Sequence, residues 1–268
     1  MKTAIVWLRN DLRFQDQESF FKACNDFDRV VAYYTFEPKE FLNTQWGIKK
    51  SGVFRIHFIL ETLAALKIEL LQKNITLIVE NKAANEGIPY WVDTINASTI
   101  FYQKEWTSEE KFVTDSLIAS LPTKVVLDSH YDQFLFHPDD LPMTIDSIPE
   151  VFTVFRKQCE KLTQVRPCIS SPKLLSKDSL LTKNYPLLSL KSLGFNFFET
   201  PINTAFPFSG GTKSAIHRLD DYFWKSKRLS FYKKTRNGML GSNYSSKFSP
   251  WLANGSLSAK TIYWSVKK

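Results

Sequence analysis

Thr3–Leu8 is a short uncharged run rich in branched and aromatic side chains, the pattern of a strand buried on both faces. Similar runs recur at Arg29–Phe36, Ile75–Glu80, Thr99–Gln103 and Lys124–Leu127. Between them the apolar positions fall at helical spacing, over Gln17–Asn25, Val53–Gln72, Ile88–Thr94 and Ser108–Ser120. The longest of these carries Phe54, Phe58, Leu60, Leu63, Leu66, Leu70 and Leu71, a broad apolar stripe. Thr107-Ser-Glu-Glu110 reads as a helix start, with carboxylates where the helix dipole favours them. Strand and helix in alternation predict an open α/β domain over residues 1–128, a parallel, Rossmann-like sheet with helices on both faces.

From 129 to 207 the periodicity fades and proline recurs (Pro138, Pro142, Pro149, Pro167, Pro172, Pro186, Pro201, Pro207). A connector of this length is expected to wrap over the surface between two modules. Helical spacing returns in 208–268, at Thr212–Lys225, Tyr244–Asn254 and Ser258–Lys267.

Composition sharpens this outline. Hydrophobic residues are 43% of the 268, enough for a buried core, and aromatics are 15%, which serves helical packing or the stacking of planar ligands. The net charge of +8 is unevenly placed: residues 1–150 hold 15 basic and 22 acidic side chains, net −7, and residues 151–268 hold 20 and 5, net +15. A basic half with interleaved aromatics suits a nucleic-acid or polyphosphate surface; a solvated lysine-rich face is the competing reading. Three cysteines with no Cys-x-x-Cys pair point to a reducing compartment, and four histidines show no metal-ligand spacing, so no metal is expected. The apolar opening is too short for a secretory signal, and no window approaches the ~18 apolar residues of a membrane span. A soluble, cytoplasmic protein is expected.

Two stretches carry candidate chemistry. At the turn after the first strand, Arg9-Asn-Asp-Leu-Arg13 stands where a dinucleotide-binding domain has Gly-x-Gly-x-x-Gly. Ligands favour the carboxyl ends of strands in open sheets, which draws attention to Arg9, Asn10 and Glu37, with a structural or interdomain role as the alternative. The second stretch is Tyr232-Lys-Lys-Thr-Arg-Asn-Gly-Met-Leu-Gly-Ser-Asn-Tyr-Ser-Ser-Lys-Phe-Ser-Pro-Trp-Leu-Ala-Asn-Gly255. Two glycines (Gly238, Gly241) allow turns, and Ser242, Ser245, Ser246 and Ser249 surround Lys247. Hydroxyls, free amides and a cation at a helix start make an anion site, or simply a capped helix.

This second stretch resembles the flavin-binding segment of the DASH-type cryptochromes of the photolyase superfamily. Val6-Trp-Leu-Arg-Asn-Asp-Leu-Arg13, Lys50-Ser-Gly-Val-Phe-Arg55 with Phe58-Ile-Leu-Glu61, His137-Pro-Asp-Asp-Leu-Pro142, Val151-Phe-Thr-Val-Phe-Arg-Lys157 and Phe206-Pro-Phe-Ser-Gly-Gly211 resemble the family in the same order. The chain departs from it at Thr212, where Glu is common, at Ser256, where Cys is usual, and at Ala259-Lys260 in place of Pro-Arg.

The resemblance implies FAD held by Tyr232, Ser245, Ser246, Lys247 and Ser249, with the Phe248 amide as a donor. It implies a folate antenna, 5,10-methenyltetrahydrofolate, bound at Glu109 or Glu110, whose carboxylate suits an amino-pyrimidine edge; an acidic first helical turn is the alternative. It implies a photolyase-type N-terminal domain, a linker, and the first helices of an all-α FAD-binding domain. The activity implied is blue-light-driven repair of cyclobutane pyrimidine dimers, best in single-stranded DNA, where extruding the lesion costs least. By the resemblance the catalytic residues lie downstream of Lys268, so this chain is expected to be an incomplete, inactive monomer. Its partner would be single-stranded or lesion-containing DNA, and no membrane. Leu252, Leu257, Ile262, Tyr263 and Trp264 would then form an apolar stripe left exposed. A blue-light photoreceptor and a folate- or nucleic-acid-binding module are the alternatives.

Overall fold

β1 (Thr3–Leu8), wholly buried, forms the middle of a parallel sheet completed by β2 (Arg29–Thr35), β3 (Thr76–Glu80), β4 (Thr99–Gln103) and β5 (Val126–His130). The computed structural model describes residues 1–183 and 185–267; Asn184, in the expected linker, and Lys268, the last residue of the expected helical part, lie outside the described residues. The strand order is β3-β2-β1-β4-β5, so the chain builds one flank and then crosses to the other between β1 and β4. Burial on both faces explains the unbroken apolar runs. Ala4, Val6, Val30, Ala32 and Phe101 meet α1 (Glu18–Asp26) and α2 (Val53–Leu71), while Ile5, Trp7, Val31, Tyr33 and Ile100 meet α3 (Ala84–Ile95) and α4 (Ser108–Ser120).

Beyond β5 the chain carries α5 (Phe152–Leu162) and short 3₁₀ turns, and it runs back over both layers. Leu175 and Leu193 are buried on the α1–α2 side and Leu180 on the α3 side. α6 (Thr212–Asp220) continues as a π-helical turn, Asp221–Lys225, and is followed by α7 (Tyr232–Thr235), α8 (Ser249–Ala253) and α9 (Ala259–Lys267). α6, its π-helical turn, α8 and α9 share a third core, in which fully buried Trp251 is ringed by Phe58, Phe206 and Phe208 at centroid distances of 5.9, 5.3 and 5.6 Å.

The helical part is docked on the β1–α1 turn. Leu12 N donates to the Asn254 carbonyl at 3.0 Å, and the buried Arg13 guanidinium donates to the Gly255 carbonyl at 2.9 Å. Gly255 has a φ of +72°, and a Cβ there would lie 2.0 Å from the Asn10 carbonyl oxygen. Asp16 accepts from Lys260 and from the Ile169 amide, both at 2.8 Å, and from the Ser258 hydroxyl. One carboxylate thus joins the turn, the connector and α9.

Four expectations need correction. β5 is Val126–His130, not Lys124–Leu127: as an edge strand it is covered on one side only, so Asp128, Ser129 and His130 belong to it although they break the apolar run. α3 begins at Ala84 rather than Ile88, because the distant Glu37 carboxylate accepts from the Ala84 amide at 2.9 Å and caps it from outside. The helix expected over Tyr244–Asn254 is only Ser249–Ala253, since the carbonyls of Ser242, Ser245 and Ser246 are taken by Arg218 and Lys247 is left-handed at φ 63°. The stripe expected to be exposed is partly covered, with Leu257 buried in the third core and Ile262 packed on it.

Candidate functional site

The carboxyl ends of β1 and β2 and the start of α4 open into a cleft of about 1490 Å³ beside the crossover, the place where open α/β sheets receive ligands. Arg9, Asn10, Glu37, Glu109 and Glu110 all line it, with Phe54, Phe112, Phe198 and Phe206 supplying apolar walls. Arg9 lies over the Trp7 ring at 4.6 Å and donates to Thr114 Oγ1 at 2.8 Å and to the Glu110 carbonyl at 3.0 Å. Asn10 Nδ2 bridges two carboxylates, Glu105 Oε1 at 3.2 Å and Glu110 Oε1 at 3.3 Å. The remaining Glu105 oxygen accepts from Gln133 at 2.5 Å.

This cluster is electrostatically tight. Burial raises the Glu105 pKa despite the nearby Arg9, and burial lowers that of Arg9 against the pull of Glu105 and Glu110. Burial also opposes ionisation of Glu110, but hydrogen bonds from Thr107 and the Arg9 charge outweigh it and hold its pKa below the usual carboxylate range. The Thr107–Glu110 pair is a full capping box: the Glu110 amide donates to Thr107 Oγ1 at 3.3 Å and Glu110 Oε2 accepts from the Thr107 amide at 3.1 Å. The helix start foreseen there and the cleft-lining carboxylate are the same residue. Glu109 is exposed and pairs with Lys50 across the cleft mouth.

The residues carried over for FAD lie elsewhere. Tyr232 is 43% exposed on α7; Ser245, Ser246 and Lys247 are half-buried, Ser249 is exposed, and only the Phe248 ring is in the third core. None of the six lines the large cleft. The segment is organised from below by Arg218, which is 3% exposed and donates to the carbonyls of Ser242, Ser245 and Ser246 at 3.0, 3.1 and 3.1 Å. Lys247 Nζ sits 3.5 Å from the Tyr244 ring centroid. Among the described residues, the amides of Ser246, Lys247 and Phe248 find no partner in the protein.

The DNA photolyase family profile matches residues 4–173, more than half of the sequence. The chain belongs to the DNA photolyase family. Within that family it is similar to the DASH cryptochromes, at 42% identity to that of Gloeobacter violaceus, 38% to that of Synechocystis and 35% to that of Danio rerio. These matches cover 99%, 99% and 100% of this chain but 53%, 54% and 52% of the relatives, so the chain spans about half their length. The crystal structure of Synechocystis cryptochrome superposes with a TM-score of 0.92 at 36% identity, covering all of this chain and 55% of that one. The fold is shared more distantly by a class III photolyase from Agrobacterium tumefaciens, TM-score 0.77 at 20% identity over 53% of that chain. An archaeal photolyase from Sulfolobus tokodaii, solved with two FAD molecules, has a TM-score of 0.73 at 18% identity over 55% of its chain.

For a photolyase-family chain the donor set around Lys247 suits an anion: three serine hydroxyls, an ammonium group and three unpaired amides, with Lys247 in αL followed by Phe248 in αR (φ −73°, ψ −17°), the alternation that makes an anion nest. Nothing there requires the flavin, but nothing in the donor set conflicts with a diphosphate. Sequence reasoning missed Glu105 and Arg218. Glu105 follows β4 by two residues, where the strand-end rule points; Arg218 is one arginine in an ordinary helical pattern and carries no local signal. Among the described residues no helix is long and apolar enough to cross a membrane.

Proposed function

We propose that this chain forms the antenna-type α/β domain (1–128), the connector (129–207) and part of the helical flavin-binding domain (208–268) of a DASH-type cryptochrome. The observation that carries the reading is the donor set at Ser245, Ser246, Lys247, Phe248 and Ser249, taken with Tyr232, in which the amides of Ser246, Lys247 and Phe248 have no partner among the described residues, in a chain of this family. Its hydroxyls and amides would hold the FAD diphosphate, with Lys247 adding a charge-assisted bond. Bound there, reduced flavin would supply the light-driven electron that splits a cyclobutane pyrimidine dimer.

The basic half, net +15 over residues 151–268, would draw in the phosphate backbone of single-stranded or lesion-containing DNA. Glu110, assisted by Glu109, would orient the amino-pyrimidine edge of 5,10-methenyltetrahydrofolate as light-harvesting antenna, with Phe112 and Phe54 against its rings. Three free cysteines accord with a reducing, cytoplasmic setting and a monomer.

Repair is tested on a protein of the relatives' full length that carries this chain. Blue light is expected to remove dimers from a single-stranded oligonucleotide; dimers that persist while flavin is retained would mean a photoreceptor instead. One observation favours a second reading, a folate-binding module: the cleft holding Glu110 is already formed. Titration with methenyltetrahydrofolate should then saturate in this chain, and Glu110→Gln should weaken it about tenfold.

A further inference from the structure

Arg218 is the feature of the helical part that neither the motif nor the family resemblance accounts for. Its guanidinium has five N–H donors, and all five are used: Nε to the Ser246 carbonyl (3.1 Å), Nη1 to Asp221 Oδ2 (2.8 Å) and Asn243 Oδ1 (3.2 Å), Nη2 to the carbonyls of Ser242 (3.0 Å) and Ser245 (3.1 Å). The planar group lies over the rings of both Phe208 and Tyr222, 4.8 and 5.1 Å from their centroids. Four of the five acceptors belong to one short segment, 242–246, that has no regular structure of its own.

The peptide geometry turns this clamp into a statement about the surface. In a trans peptide the carbonyl and the N–H of the next residue point in opposite directions. With the carbonyls of Ser245 and Ser246 drawn inward to Arg218, the N–H groups of Ser246 and Lys247 point away from it, and neither has a partner among the described residues. A cation on the carbonyl side also polarises each peptide, which makes its N–H a stronger donor. An orphan pair of amides is normally a cost, because backbone donors seek partners. Here a buried charge is arranged to hold them in place.

We propose that Arg218 is a positioning residue that pre-organises the amides of Ser246 and Lys247 for the diphosphate of a bound dinucleotide. The role rests on the flavin reading above for its ligand, but not for the ordering of the loop. Arginine is needed rather than positive charge alone, since a lysine presents three donors from one point and cannot fork across three carbonyls and an amide.

Arg218→Lys and Asn243→Ala, each in the whole chain, are compared with wild type by backbone NMR order parameters over 242–249 and by titration with FAD and with inorganic pyrophosphate. Arg218→Lys is expected to lower the order parameters of these amides from about 0.85 to below about 0.6 while β1 and β4 stay rigid, and to weaken both ligands about tenfold. Asn243→Ala removes one acceptor, leaves the core untouched and is expected to give about a threefold change in affinity; it carries the comparison if Arg218→Lys does not fold. Order parameters and affinity unchanged in the folded variants overturn the positioning role. A loop that loosens in a chain whose wild type binds neither ligand upholds the ordering role and overturns the flavin reading.

Discussion

At the carboxyl ends of β1 and β4 the polar side chains answer one another, whereas along Ser242–Ser249 the carbonyls and Asn243 Oδ1 are held but the amides of Ser246, Lys247 and Phe248 have no partner among the described residues. In the first region Arg9, Asn10, Glu105 and Glu110 come from two adjacent strand ends and one capping box, so the cluster is assembled by the sheet. In the second, the shape depends on a single buried guanidinium reaching up from α6. A site built by neighbouring strand ends survives the loss of one contact. A site built by one clamp does not.

The docking of the helical part on the β1–α1 turn underlies both regions, and breaking it should have the largest effect. Gly255→Ala places a methyl against the Asn10 carbonyl in a left-handed backbone, and about 3 kcal/mol or more should be lost in a denaturant melt. Gly47→Ala shares the positive φ but meets open space, so it should lose only about 1 kcal/mol. Next comes Asp16→Asn, which leaves Lys260 buried without its partner; about 3 kcal/mol is expected, with Lys260→Met largely restoring it in the double variant.

Acid provides a smaller break, confined to the sheet side. A hydrogen bond from His130, supported by Lys22, holds the Glu18 pKa at about 2 against 4.5 ordinarily. A carboxylate depressed in the folded state contributes stability that is complete above its unfolded pKa, here 4.5, and is lost as pH falls from there towards 2. With Glu18 half open to solvent, the loss should be about 1–2 kcal/mol, and Glu18→Gln should flatten that part of the stability–pH curve. Smallest is Thr107→Ala, which removes the cap of α4 for about 1 kcal/mol in the same melt and takes one of two hydrogen bonds from Glu110 Oε2. A folate affinity that stays the same would detach the capping box from the cleft.

The sheet was legible because burial on both faces leaves apolar runs that need no tertiary knowledge: Thr3–Leu8 and Thr99–Gln103 stand where the pattern put them. The pattern failed where a remote group decided the backbone. Glu37 starts α3 from 47 residues away in sequence, and Arg218 suppresses a helix 24–28 residues further along by taking its carbonyls. Hydroxyl-rich composition marked Ser245–Ser249 as polar and able to bind an anion, but which way its amides face follows from a contact that no local spacing encodes. Glu110 was named through the family resemblance; its own pattern read as the acidic first turn of a helix, and that position brings it to the cleft.

The central claim is that the Ser245–Ser249 loop holds the diphosphate of FAD. Fluorescence titration of FAD with the wild-type chain and with Ser245→Ala/Ser246→Ala/Lys247→Ala tests it most directly. Saturable quenching in the first and affinity at least about tenfold lower in the second is the predicted result. Equal affinity in the two chains, or no saturable binding by the wild type, would contradict it.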